Sequence, residues 1–171
     1  MPDEYVLAIL RDGVAKFNEF RISNPDVSID LVEADLSGFD LRFVNFAGAD
    51  LRRLRATKCD FRGATLEGAH FNESDLAGSD LRDVNLSRAQ LDRANLTDVD
   101  AVGAVLDGLS LREEKFVGAD LTNACMRSIV WFKCDFEGAV LRNAILEKAD
   151  IRDSKLSRAD FSHSKLGEAS L

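Results

Sequence analysis

The sequence predicts an all-β solenoid that follows a short helical segment. A large apolar residue recurs at every fifth position from Leu31 to Leu171, and 24 of these 29 positions are leucine or phenylalanine. On an α-helix, five residues advance by about 500°, so these side chains would spiral around the surface. On a flat strand, an odd spacing would send them to alternate faces. The chain must therefore turn within every repeat to keep these residues on one side.

The other positions of the repeat agree with a turn. The residue two before each large apolar residue is small or moderately apolar, most often alanine, and we expect it to point inward as well. The residue two after it is often glycine, and nine of the eleven glycines occupy this position. A type II turn requires positive φ at its third residue, which glycine adopts freely. The residue just before the large apolar one is commonly acidic or an amide, as at Asp35, Asp40, Asn45, Asp50, Asp75 and Asp80.

This A-(D/N)-L-x-x pattern resembles the pentapeptide-repeat family over residues 31–171. The segments Ala34–Gly38 and Ala119–Asn123 match it directly. The resemblance implies a right-handed quadrilateral parallel β-helix with four repeats in each coil. The repeats then make about seven coils, which stack into a column roughly 34 Å tall at the usual inter-strand distance of about 4.8 Å.

Residues 1–30 differ from the repeat region at 31–171, and we predict that they form a separate N-terminal capping segment. Apolar residues at helical spacing predict an amphipathic helix over residues 4–21, which would cover the exposed first coil. A membrane-surface or partner-binding helix is the alternative, although the acidic flank argues against a membrane. Residues 22–30 are predicted to be a linker. The helical pattern consists of Val6, Ile9, Leu10, Val14, Phe17 and Phe20.

The C-terminal coil has no such cap in the sequence, because the last residue, Leu171, is itself a core position. Three interpretations remain open. The coil stacks on the same coil of a second molecule to give a two-fold homodimer, or it frays, or it lies against something else. The resemblance favours the dimer, because several family members dimerise through this end, usually with an added helix that is missing here.

Composition and motifs argue against an enzyme. The net charge of −8 disfavours direct binding to nucleic acid, which needs a basic surface. Cys59, Cys125 and Cys134 form neither a disulfide framework nor a zinc pattern, and suit a reducing, cytoplasmic location. His70 and His163 are too far apart to act together. No catalytic triad, phosphate loop, metal-ligand spacing, targeting segment or membrane span is recognisable, so we expect no catalytic, cofactor or metal site and no membrane association.

Two residues in the repeat region break the pattern at core positions. Glu114 occupies a small inward position, where an unpaired carboxylate would be costly. We expect either that Lys115 or Arg112 pairs with it, or that the coil bulges there. Trp131 places the largest side chain of the chain in the core, and we expect local repacking around it.

Two outward features are candidates for binding a partner. Counting in steps of 20 places a ladder of aspartates on one face, about 4.8 Å apart, beside arginines that partly neutralise it. Phe132 should face outward next to charged residues, and an exposed aromatic residue indicates a contact site. The aspartates are Asp40, Asp60, Asp80, Asp100, Asp120 and Asp160, with Val140 interrupting them, and the arginines are Arg42, Arg62, Arg82 and Arg142.

These features predict a non-enzymatic interaction or scaffold protein whose protein partner the sequence does not identify. The resemblance supplies an alternative, since some pentapeptide-repeat proteins mimic B-DNA, bind DNA gyrase or topoisomerase IV and confer quinolone resistance. The rod shape and the acidic face suit that alternative. Charge density argues against it, because 34 Å of duplex DNA holds about 20 phosphates, whereas the net charge of the whole chain is −8.

Overall fold

The repeat region pairs with itself at a fixed interval of 20 residues. The computed structural model describes residues 1–170, and parallel bridges join residues 20 apart from Asp30 with Asp50 to Asp150 with Ser170. Twenty residues are four repeats, so each coil has four sides. The last position of the predicted core series, Leu171, lies outside the described residues. The division of the chain at residue 30 stays a prediction, and regular pairing already includes Asp30.

Each repeat turns at a corner with the backbone geometry that the glycine pattern predicted. Every fifth residue from Glu33 to Glu168 has a positive φ, between 53° and 76°. A hydrogen bond closes the turn, as from the Ala34 N–H to the Leu31 carbonyl at 3.1 Å. Nineteen of these corner residues are not glycine, although an L-residue pays roughly 1–2 kcal/mol for this conformation. Hydrogen bonds to the next coil must therefore hold the corners in place.

The straight segments between corners are very short. Within residues 1–170, two of them extend to three residues, strand β1 at Ser110–Arg112 and strand β2 at Val130–Phe132. They pair in parallel, with Leu111 opposite Trp131. The other contacts between coils are single bridges, because the chain reaches the next corner before a longer strand can form.

The large apolar residues fill the interior of the column as predicted. Phe61 and Leu121, which lie on one side of the column three coils apart, are 0% exposed. The rings of Phe116 and Phe136, one coil apart, stack with centroids 4.7 Å apart and an interplanar angle of 3°. The rings of Trp131 and Phe136 pack together with their centroids 4.0 Å apart. The core is thus continuous from coil to coil, and the small inward residues leave room for these rings.

The N-terminal segment contains two helices, so the prediction of one helix over residues 4–21 is wrong. Helix α1 spans Glu4–Arg11 and helix α2 spans Val14–Ser23. They are separated at Gly13, whose φ of 127° is incompatible with a helix. Asp3 caps α1 by accepting the Tyr5 N–H at 2.9 Å. In the part of the chain that the structure describes, no helix has the length and apolar character needed to cross a membrane.

Helix α2 contacts the first coil directly. Phe17 is fully buried and meets Phe46 edge to face, with ring centroids 5.4 Å apart. The Asn18 side chain donates to the Phe43 carbonyl and accepts the Asn45 N–H, both at 2.9 Å. These contacts join the helical segment to the start of the column through both packing and hydrogen bonds.

Glu114 is fully buried, and its partners differ from those predicted. Its Oε1 accepts the backbone N–H of Arg112 at 2.7 Å, and its Oε2 lies 3.0 Å from Cys134 Sγ. The expectation that the side chain of Arg112 or Lys115 would pair with it is wrong, since no ion pair to Glu114 occurs within residues 1–170. The Arg112 guanidinium instead lies over the Phe132 ring, 5.0 Å from its centroid.

The corner after Ser110 takes its side-chain acceptor from Glu114. In regular repeats an aspartate or asparagine just before the core residue accepts the amide two positions later, as Asp60 does from Arg62 at 3.1 Å. That position is Ser110 in this repeat, and Glu114 supplies the acceptor for the Arg112 amide from inside the column. Burial raises the pKa of Glu114 above its usual value.

We expect Glu114 to make the protein less stable at alkaline pH. Its folded pKa lies above the unfolded value near 4.5. Its contribution to the free energy of unfolding is therefore fully present below that value and is lost as the pH rises through the raised folded pKa. Urea unfolding from about pH 5 to about pH 9 measures this slope. Glu114→Gln keeps an acceptor but cannot ionise, so we expect it to flatten the slope.

The matched control for this experiment is Glu113→Gln, at an exposed neighbour whose carboxylate pairs with Arg93. This variant should keep the slope of the parent protein. An unchanged slope in Glu114→Gln would show that Glu114 is already ionised at the lower end of the range.

Candidate protein-interaction surface

The predicted aspartate ladder is present as one column on a single face. Backbone bridges join its members in sequence, coil after coil. We call this set the aspartate column. It consists of Asp40, Asp60, Asp80, Asp100 and Asp120, followed by Val140 and Asp160.

Arginines bridge successive members of the aspartate column. Arg62 Nη2 lies 2.6 Å from Asp60 in its own coil, and its Nε lies 3.3 Å from Asp80 in the next coil. Arg42 pairs with Asp40 and reaches Asp60 in the same way. Hydrogen bonds from Arg42 lower the pKa of Asp40 to about 2. Each arginine therefore relieves the repulsion between two neighbouring carboxylates, and this end of the column carries little uncompensated charge.

The aspartates also have a structural role that the sequence analysis missed. Asp100 accepts the Val102 amide at 3.3 Å, and Asp120 accepts the Thr122 amide at 2.9 Å. Asn45, at the same position of another repeat, accepts an amide at 3.1 Å without any charge. These are Asx-type bonds that close the corner. Both aspartate and asparagine occur at this position of the repeat, although only aspartate is charged. This pattern in the sequence could have indicated the hydrogen-bonding role.

The middle of the aspartate column lacks its own arginines. Val102 and Thr122 stand where earlier coils have arginine. Asp100 still forms an ion pair with Arg82 of the preceding coil, whose Nε lies 3.3 Å from the Asp100 carboxylate. Within residues 1–170, Asp120 makes no ion pair. The residual negative charge of this face is therefore concentrated at Asp100 and Asp120.

Phe132 lies on a different face, so the structure does not bring it together with the aspartate column. Its ring is half-buried between two cations, the Arg112 guanidinium at 5.0 Å and the Lys133 ammonium at 5.1 Å from the centroid. Such contacts are favourable because the ring face is electron-rich. We call Arg112, Phe132 and Lys133 the Phe132 cluster. Val130, two residues before Phe132, is 41% exposed.

A cleft of about 640 Å³ adjoins the Phe132 cluster, between the coil of Trp131 and the coil of Ile151. Val130, Trp131 and Phe132 line one side, and Ile151 and Leu156 are among the residues that line the other. The Trp131 Nε1 is buried without a hydrogen-bond partner in the described part of the chain. Sequence reasoning missed this cleft, because its walls come from coils that are 20 residues apart.

A second, smaller cleft of about 410 Å³ lies where the helices meet the first coil. Gly13, Val14, Asp40, Arg42 and Phe43 line it. Phe43 is 69% exposed and occupies a corner position with a φ of 62°. The second cleft therefore contains an ion pair and one exposed aromatic ring at the start of the aspartate column.

The chain belongs to the pentapeptide-repeat family. The family profile described as pentapeptide repeats (8 copies) matches residues 29–68, 59–98, 89–127 and 133–171, which together make up most of the chain. Members of this family form right-handed quadrilateral β-helices, in agreement with the pairing of residues 20 apart. A comparison with curated protein sequences finds no match.

Three solved structures illustrate the similarity. A trypsin-treated form of QnrB1, a plasmid-mediated fluoroquinolone resistance protein, is 21% identical, with a TM-score of 0.48 over 82% of this chain and 72% of that chain. HetL, a pentapeptide repeat protein involved in heterocyst differentiation regulation from Nostoc sp. strain PCC 7120, is 24% identical, with a TM-score of 0.31 over 81% and 83%. A pentapeptide repeat protein from the thylakoid lumen of Arabidopsis thaliana is 31% identical, with a TM-score of 0.30 over 55% and 69%. These similarities add no argument about function.

We expect Asp120 to stabilise the fold through its hydrogen bond and not through its charge. Asp120→Asn keeps the acceptor for the Thr122 amide, so the free energy of unfolding should change by less than about 0.5 kcal/mol. Asp120→Ala leaves the corner without its acceptor and should cost about 1 kcal/mol. Urea unfolding of the two variants measures the difference. Equal losses in both variants would show that the charge itself matters.

Proposed function

We propose that this protein is a non-enzymatic interaction protein that acts in the cytoplasm and uses the side of its column to bind another protein. The rigid core holds outward side chains at a fixed spacing, and among them the corner aspartates and asparagines close the turns. The remaining outward positions are free to form a contact surface. No cofactor is part of this proposal.

The single observation on which the proposal depends is the exposure of apolar side chains on a charged surface. Val130 is 41% exposed and lies beside the ring of Phe132 and the cleft next to it. Elsewhere the outward columns are dominated by ion pairs, as at Arg127 with Asp107 at 3.3 Å. An exposed apolar cluster bounded by charged residues is typical of a protein contact site.

We further infer about seven coils and a capping role for helices α1 and α2. The register of 20 residues from Asp30 to Ser170 supports the coil count. The burial of Phe17 and the hydrogen bonds of Asn18 to the first coil support the cap. A homodimer through the C-terminal coil stays a prediction, and part of that coil lies outside the described residues.

The DNA-mimic alternative would depend on the aspartate column. Its arginines weigh against it, because Arg42 and Arg62 each bridge two carboxylates of this face. A mimic of duplex DNA needs a regular row of uncompensated charge. Asp100 and Asp120 are the part of the column that comes nearest to this requirement.

A photo-crosslinking amino acid tests the interaction proposal. Placed at position 130 in the producing cell, it should form an adduct with a host protein, because Val130 is exposed at the proposed contact. Placed at Glu137, in the same coil but on another side, it should form little or none. Denaturing gels followed by mass spectrometry detect the adducts. Absence of a host-protein adduct at position 130, or equal adducts at both positions, would overturn the proposal.

A supercoiling assay with purified DNA gyrase tests the alternative. We expect micromolar protein to leave gyrase activity unchanged, because the arginines neutralise most of the acidic face. The matched variant is Asp100→Asn with Asp120→Asn, which removes charge and keeps both corner hydrogen bonds. Inhibition by the parent protein that disappears in this variant would instead favour DNA mimicry.

A further inference from the structure

We infer that the Phe132 cluster and its cleft bind an acidic segment of a protein partner, with one apolar side chain of that segment in the cleft. This inference rests on the proposed interaction function and specifies the chemistry of the partner. Three features lead to it: two cations without carboxylate partners within residues 1–170, an aromatic ring that both contact, and a cleft beside them that is partly lined by apolar side chains.

Arg112 and Lys133 contact the same aromatic ring instead of a carboxylate. Neither Arg112 nor Lys133 forms an ion pair with any of the residues 1–170, although most arginines of the column do. Lys133 has acidic neighbours in its own corner column, Glu113 one coil before and Asp153 one coil after. Glu113 pairs with Arg93 at 3.4 Å, and Lys133 lies over Phe132.

The positions of these cations favour a carboxylate ligand. Both lie about 5 Å from the centroid of one ring, so two positive charges flank the same exposed feature of the surface. The ring holds the cations in place, which lowers the entropy lost when an anion binds. Arginine presents a planar fork to a carboxylate, and lysine adds a compact charge. A segment with several carboxylates would pair with both cations and exclude water from them.

The cleft supplies the apolar half of the site. Its floor includes Trp131, Ile151 and Leu156, and its volume of about 640 Å³ is ample for a leucine or phenylalanine side chain. Burial of one large apolar side chain contributes the affinity that surface charges alone do not supply.

A protein segment fits this surface better than a nucleic acid does. The cleft offers apolar surface to one large side chain, and Asp150, Arg152, Asp153 and Ser154 complete its lining. The chain as a whole has a net charge of −8, which repels an extended polyanion. A short segment with a few carboxylates experiences less of this repulsion, and its apolar residue gains from burial.

The test uses synthetic peptides on the whole protein. The probes are fluorescein-labelled nonapeptides with a central leucine or phenylalanine and mixed aspartate, glutamate and serine on either side. One comparison set replaces the acidic residues with lysine, and another replaces the central residue with alanine. Fluorescence anisotropy measures binding, and the emission of Trp131, the one tryptophan of the chain, reports occupation of the cleft. We expect the acidic apolar peptides to bind most tightly, and higher salt to weaken them.

The decisive variant is Arg112→Glu with Lys133→Glu, which should weaken the acidic peptides at least about tenfold. Arg112→Gln with Lys133→Gln gives a milder change if the reversal impairs folding. The matched control is Lys58→Glu with Arg158→Glu, which alters net charge equally at two corner cations that are unpaired within the described residues. This control should bind as the parent does.

Four outcomes would overturn the inference. They are equal binding of acidic and basic peptides, insensitivity to both double variants, tighter binding of a fluorescein-labelled DNA duplex or of phosphatidylserine vesicles, and a homodimer that the Arg112→Glu, Lys133→Glu variant dissociates. The crosslinking experiment separates this inference from the proposed function. A host-protein adduct at position 130 without any preference for acidic peptides would leave the interaction function standing and refute only the acidic ligand.

Discussion

Hydrogen bonds at the corners hold this column together. Each corner places one residue at positive φ, and a turn bond and a bond to the next coil fix that conformation, with an Asx-type bond where the repeat has aspartate or asparagine, as at Asp60, Arg62 and Phe43. Because the turn recurs every five residues, each large apolar residue points to the same axis. Burial of leucine and phenylalanine along that axis then supplies the main favourable free energy. Without the corners, a period of five could not bury these residues on one side.

The same bonds determine how the acidic face should be interpreted. An aspartate that closes a corner is required by the fold, and its charge is a secondary property that neighbouring arginines neutralise. Arg62 between Asp60 and Asp80 illustrates this arrangement. A row of aspartates in such a protein is therefore weak evidence for DNA mimicry. The evidence would be stronger where the arginines are absent, and within residues 1–170 of this column that applies to Asp120, which makes no ion pair, whereas Asp100 still pairs with Arg82.

Departures from the repeat are concentrated in two successive coils. Ser110 lacks the side chain that closes a corner, and the buried Glu114 replaces it by accepting the Arg112 amide. The Arg112 guanidinium is then free to lie over Phe132, outside the column. The same two coils contain the two strands and the buried Trp131. The same local departures from the repeat therefore produce both the irregular core and the candidate binding surface.

The sequence by itself determined the column, because the five-residue period admits only a chain that turns in every repeat. It also predicted the core residues, the positive φ at the glycine positions and the alignment of the aspartates, all of which follow from counting along the chain. The break at Gly13, the partners of Glu114, the cations on Phe132 and the cleft beside Trp131 were decided by the tertiary structure. Each of these depends on which atoms of residues distant in sequence or on opposite sides of a corner come within a few ångströms. Periodicity specifies the height and the face of a side chain, whereas the choice between competing neighbours depends on the detailed packing around it.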